Sequence, residues 1–196
     1  QLGQDEVILQ LMREAGHAVE ALCVEVIIHT GLRSGELRMR KPEDIRIEQV
    51  RDEDGTLVPL GVISLPQGQT KNNECRDVGF DADLARNIKA VIAAGKMPTK
   101  DRLLDSFKLA VKRAGYTGNI VIHSLRNTRV KRLRKAGIKE DIRMKLVGHS
   151  GKEVHRGYDE VDLEDQLQVV KKVQEYAGKM GPPSAVVEFC KTKSVA

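Results

Sequence analysis

Thr30-Gly31-Leu32-Arg33-Ser34-Gly35-Glu36-Leu37 is the stretch from which the rest of the chain can be read. Ahead of it, Ala18 to Thr30 is almost wholly apolar through Leu22, Val24, Val26, Ile27 and Ile28. That run predicts a buried core helix, too short to cross a bilayer. Gly31 is the residue type that ends a helix, because it reaches left-handed φ without a β-carbon in the way. Ser34 is then expected to cap a short helix starting at Gly35 and Glu36. Arg33 stands at the junction, with Glu36 three residues on. The ordinary reading of that pair is a local ion pair.

Further towards the N-terminus, Asp5 is a plausible cap for a helix from Val7 to about Ala15. In the other direction the pattern turns β-like. Ile45 to Val50 alternates apolar with polar over most of its length, and Asp54-Gly55 marks a turn. Gly61 to Leu65 and Arg76 to Phe80 are two more strand candidates, with Lys71-Asn72-Asn73 between them. A small three-stranded antiparallel sheet is expected, with Lys71 on its second hairpin. Helices are expected over Ala82–Ala94, Arg102–Ala114, Ser124–Lys135, Lys139–Val147, a short piece before Tyr158, and Leu163–Tyr176. Gly115, Gly137 and Gly148 punctuate them. The fold class is therefore mixed α+β and mainly α-helical. Residues 1–180 read as one domain and 181–196 as a tail, in which Ser184–Phe189 is a candidate strand after the Gly181-Pro182-Pro183 break.

The 196 residues suffice for one domain with a proper core, and their charge is high. The net charge of +5 is unevenly spread: nine Lys and Arg lie between His123 and Lys145, against only Glu140 and Asp141. A run of charge is usually a solvated face. Here it grows out of a His-x-x-Arg word, and a basic stripe of that kind fits a polyanion, most simply nucleic acid. With three Phe, three Tyr and no Trp, the chain is poor in platforms for stacking single-stranded bases. Backbone contacts to duplex DNA are the better expectation, with Arg129, Arg132, Lys135 and Lys139 as the contacting cations. Cys23, Cys75 and Cys190 are too scattered for a disulfide framework or a zinc site, which fits reduced thiols in the cytoplasm. Gly148-His149-Ser150-Gly151-Lys152 lacks the spacing of a P-loop, and Asp52-Glu53-Asp54-Gly55 is too short for an EF-hand. No carboxylate or histidine cluster suits a catalytic metal, and no cofactor is expected.

Five words recur to the eye in fixed order: Thr30 to Leu37, Thr70-Lys71, His123-Ser124-Leu125-Arg126, Gly148-His149-Ser150, and Tyr158. Together they offer two arginines, a lysine, two histidines and a tyrosine. Such a set suits attack on a phosphodiester by a phenol, with cations holding the developing charge. A free phenol has a pKa near 10, so a phenolate at neutral pH costs about 4 kcal/mol and must be supported by cations or a base. Guanidinium forks are matched to phosphate oxygens and stay charged. Each residue alone has a blander reading, and Tyr116, Tyr176, His17, His29, His155, Lys41 and Lys100 keep theirs.

In order and spacing these words resemble the catalytic domain of the tyrosine recombinases, the integrases of phages and mobile elements. Tyr158 follows His149 by nine residues, as that family shows. The resemblance implies that Tyr158 is the nucleophile and that Arg33 and Arg126 clamp the phosphate. It implies an acid/base role for His123, a hydrogen bond from His149 to a non-bridging oxygen, and Lys71 as the general acid. Glu36 would orient the site. It further implies a 3′-phosphotyrosyl intermediate, double-stranded DNA as partner, four protomers on two duplexes, and no metal or membrane. Asn127 stands where the family often has another histidine, and Pro42 where an aromatic is common. The family usually carries a separate helical domain ahead of this region. The 32 residues before Arg33 are too few for one, so a piece of a longer protein, or an unusually short one, is expected. A type IB topoisomerase-like enzyme and a non-catalytic DNA-binding protein on the same scaffold are the alternatives.

Overall fold

The computed structural model describes residues 3–68, 75–117, 120–148 and 161–180. Helix α1 (Gln4–Glu14) and α2 (Ala18–Thr30) lead through the short α3 (Ser34–Arg38) and a 3-10 turn at Pro42–Asp44 into the sheet. Strands β1 (Ile45–Arg51), β2 (Leu57–Leu65) and β3 (Arg76–Phe80) pair antiparallel in the order β1-β2-β3. Five helices follow: α4 (Ala82–Ala93), α5 (Lys100–Arg113), α6 (Ile122–Lys135), α7 (Glu140–Val147) and α8 (Leu163–Met180). The chain is thus mainly helical with one small three-stranded antiparallel sheet, as its sequence leads one to expect.

The main core is built on α2, whose Cys23, Val24, Val26, Ile27 and Ile28 are all buried. Helices α1, α4, α5 and α6 pack around it. The sheet lies between two helices, because its strands alternate. Ile63 and Leu65 join the main core with Leu84, Ala85 and Ile88 of α4. Leu60 and Val62, one residue out of phase, meet Leu167 and Val170 of α8. Gly61 is needed where α4 crosses, since a β-carbon there would overlap the Ala85 methyl. Gly79 likewise admits Gln166, whose Oε1 accepts from the Gly79 amide at 2.5 Å. A second tie joins Lys171 and Gln168 of α8 to Asp52 in the β1–β2 turn. Those contacts, led by Lys171, hold the Asp52 carboxyl at about 2.

Three local expectations are corrected. Asp5 is not a cap: α1 starts before it, and Asp5 is buried in an ion pair with Arg132 of α6. Ser34 is the first helical residue of α3, and Arg33 holds the cap position. Strand β2 begins at Leu57 rather than Gly61, despite Pro59. Proline is tolerated there because β3 covers only Gly61–Leu65, so this end of β2 is an edge. The expected helix before Tyr158 and the strand Ser184–Phe189 lie outside the described residues.

Candidate phosphate-binding site

The turn after α2 is made by its own side chains. Thr30 Oγ1 donates to Val26 O at 2.6 Å and accepts from the Leu32 amide at 3.3 Å. Gly31 follows at φ 74°, and buried Leu32 pins the chain before it turns into α3. Arg33 is thereby held at the N-terminus of α3. Glu36, at the third helical position, reaches back to it twice. Its Oε2 accepts from the Arg33 backbone amide at 2.8 Å, and its Oε1 accepts from Arg33 Nη1 at 2.6 Å. The carboxylate therefore caps the helix and orients the guanidinium in one contact set. The far end of α3 is fixed by Arg40, which donates to Glu36 O at 2.9 Å and to Ser64 O on β2 at 3.0 Å.

Arg126 enters from α6 and is 1% exposed. Its Nη1 donates to Gly31 O at 2.7 Å and its Nη2 to Gly148 O at 3.1 Å. Both acceptors sit at helix C-termini, of α2 and α7, and both glycines are left-handed (φ 74° and 70°). A helix C-terminus is the negative end of its dipole, so this is a suitable place to bury a cation. Burial lowers the Arg126 pKa to about 10, helped by the nearby cations Arg33 and Arg76, while Glu36 acts the other way. The group stays charged at neutral pH.

Arg33 and Glu36 thus lie in contact, with Arg126 in the same field. Arg76, at the start of β3, belongs with them although no motif singled it out. Its Nη2 lies 3.4 Å from Glu36 Oε2. A signal was available: Arg76 shares its strand face with the buried Val78 and Phe80, where a cation needs a reason to be. His123 stands in the first turn of α6 and is exposed, one turn ahead of Arg126. Lys71, His149 and Tyr158 lie outside the described residues.

The basic stripe divides. Lys135 and Lys139 are exposed, as are Lys131 and Arg134. Arg129 and Arg132 are 3% and 8% exposed, which withdraws them from the surface set. Arg132 pairs with Asp5. Arg129 packs under the α2 turn, where a β-carbon on Gly31 would come within 3.2 Å of its Cγ. Burial, then Arg132, lowers its pKa to about 9.

No protein-family model matches the chain, and no curated protein matches it in sequence. Among solved structures it is similar to the XerH site-specific recombinase, crystallised with a palindromic difH substrate in a post-cleavage complex. The TM-score is 0.57 at 16% identity, over 92% of this chain and 52% of that one. The chain therefore spans about half the length of that recombinase. The likeness establishes the fold: it is the one implied by the resemblance to tyrosine-recombinase catalytic domains.

Proposed function

We propose that this chain is the catalytic domain of a tyrosine site-specific recombinase acting on double-stranded DNA. The observation that carries this reading is the grouping of three guanidiniums at one place. Among the described residues, Arg33 and Arg76 both meet the Glu36 carboxylate, and Arg126 lies in the same field. Fixed, oriented positive charge is what a phosphoryl-transfer transition state requires.

In this reading the Tyr158 oxygen attacks a scissile phosphorus and the bond to the 5′ oxygen breaks. The phenol proton passes to His123 or its surroundings, and Lys71 supplies a proton to the departing 5′ oxygen. The product is a 3′-phosphotyrosyl link and a free 5′ hydroxyl. A 5′ hydroxyl from a partner duplex reverses the step and joins new ends. Arg33, Arg126 and His149 hold the non-bridging oxygens throughout. Bond energy is kept in the phosphotyrosyl link, so the balance needs no nucleotide cofactor. Lys135 and Lys139 contact the DNA backbone beside the site. Four protomers on two duplexes complete the exchange. Among the described residues no helix is long and apolar enough to cross a membrane. Residues 1–180 act as the catalytic unit, with 181–196 as its tail, in the cytoplasm.

The test uses nicked duplexes recovered from a random-sequence pool by binding to the protein. A nick beside the cleavage point lets the short fragment that carries the free 5′ hydroxyl diffuse away, which traps the adduct. The expected result is a protein–DNA band that survives denaturation and is absent in Tyr158→Phe. DNA binding with no such band overturns the catalytic reading and leaves a DNA-binding protein. Relaxation of supercoiled plasmid without strand exchange between two duplexes points to the topoisomerase-like alternative.

A further inference from the structure

We infer that Arg76 is a positioning residue of this site, bracing the arginine clamp through Glu36 and Gly148. The inference rests on the function proposed above and adds a residue to it. Glu36 has two carboxylate oxygens and three donors around them. Oε1 is engaged by the Arg33 side chain, and Oε2 by the Arg33 backbone amide at 2.8 Å. Arg76 Nη2 approaches Oε2 from the sheet side at 3.4 Å. A carboxylate held from two elements cannot swing with α3 alone, so Arg33 keeps one orientation.

The other end of the Arg76 fork lies against Gly148. A β-carbon built on Gly148 would fall inside the Arg76 guanidinium, so a side chain there would displace that fork, and the φ of 70° favours glycine besides. Gly148 is also the residue whose carbonyl accepts from Arg126. Arg76 therefore touches both halves of the clamp: the partner of Arg33 and the seat of Arg126. Its side chain is 15% exposed, so most of it is turned into the protein. Its proximity also helps lower the Arg126 pKa, which places the two cations in one field. Arg76 stands five residues after Lys71 in the sequence, so the same strand that begins with Arg76 follows the proposed general acid.

A positioning residue should act on the chemical step more than on DNA binding. Arg76→Ala, Arg76→Gln and Arg76→Lys are compared in single-turnover adduct formation on the trapped nicked duplex. Duplex Kd and thermal midpoint are measured beside each rate. The cleavage rate is expected to fall about 10²-fold in Arg76→Ala, within the range for loss of one electrostatic group. The Kd should move less than about threefold, and Arg76→Lys should recover part of the rate because it restores charge without the fork. A second substrate carries a neutral methylphosphonate at the scissile position. With no charge to hold on that oxygen, a misoriented clamp matters less, so the Arg76→Ala defect should shrink by about tenfold. A fold defect would persist on both substrates.

Wild-type rates in Arg76→Ala overturn the inference. So does a loss of rate matched by an equal loss of binding, or one that the neutral substrate does not narrow. If Arg76→Ala fails to fold, the neutral, polar Arg76→Gln carries the same comparison. A wild-type protein that binds DNA and makes no adduct overturns the proposed function and this inference with it. An active wild type with an indifferent Arg76 overturns the inference alone.

Discussion

Helices α2 and α6 cross in the middle of the molecule and bury opposite chemistries. The buried side of α2 is mostly apolar, Ala21, Cys23, Val24, Val26, Ile27 and Ile28, with Glu20 and Thr30 near its two ends. The inner face of α6 is Ile122, Leu125 and Leu133 with three arginines among them, Arg126, Arg129 and Arg132. An apolar wall stabilises by area removed from water. A buried guanidinium costs several kcal/mol in lost hydration and is kept only where specific partners repay it. Arg132 has the Asp5 carboxylate, and Arg126 has the carbonyl ends of two helices. The contrast separates two kinds of buried cation on one helix. Arg132 joins α6 to α1 through Asp5. Arg126 sits in one field with Arg33 and Glu36, where the proposed function gives its charge a further use.

The largest expected effect is at Arg126. Arg126→Ala removes the donor from two buried carbonyls, which should cost about 2–4 kcal/mol in urea denaturation. It should also lower adduct formation by about 10²–10³-fold. Retained cleavage would erase the distinction between the two arginines. Next is the Asp5–Arg132 pair. Asp5→Ala leaves a buried charge and should cost about 3 kcal/mol. The double variant Asp5→Leu with Arg132→Met should recover to within about 1 kcal/mol of the wild type, with cleavage intact. A double variant that is stable but inactive would assign Arg132 to the site as well.

A smaller effect concerns His29, which lies near the same arginines. Burial foremost, then Arg129 and Arg132, lowers its pKa to about 4, with Asp81 opposing. An unfolded histidine titrates near 6.5. Between those values the unfolded chain binds a proton that the folded chain refuses. Stability should therefore fall as pH drops from about 6.5 to about 4, and level off below. His29→Gln should flatten that slope in urea titrations at a series of pH values; an unchanged slope would place the titration elsewhere. The smallest effect is expected at the surface. Lys135→Ala and Lys139→Ala should each reduce the slope of log Kd against log salt by about 0.9, with little change in stability. Arg129→Ala, buried, should destabilise without following that salt rule.

Much of this architecture was legible in the residues, and the misses share one cause. The bounds of α2 and β3 agree with hydrophobic pattern and punctuation, because both elements are specified locally. The Arg33–Glu36 contact was also readable, being three residues apart on one helix. Asp5 was misread as a cap because its partner lies 127 residues away, and nothing local announces it. Arg129 and Arg132 read as surface charge for the same reason: lysine and arginine on a helix are normally solvated, and only the tertiary fold turns this face inward. No motif marks Arg76 because its neighbours, Glu36 on α3 and Gly148 at the end of α7, are distant from it in sequence. Proline at position 59 hid half of β2, since its tolerance depends on where β3 stops.

The most direct measurement is the identity of the covalent bond. The trapped adduct would be digested with nuclease and protease, and the modified peptide sequenced by mass spectrometry. A nucleotide joined through its 3′ phosphate to the Tyr158 oxygen is the expected product. A nucleotide on another side chain, or a 5′ linkage, would contradict the assignment of this chain as a tyrosine recombinase.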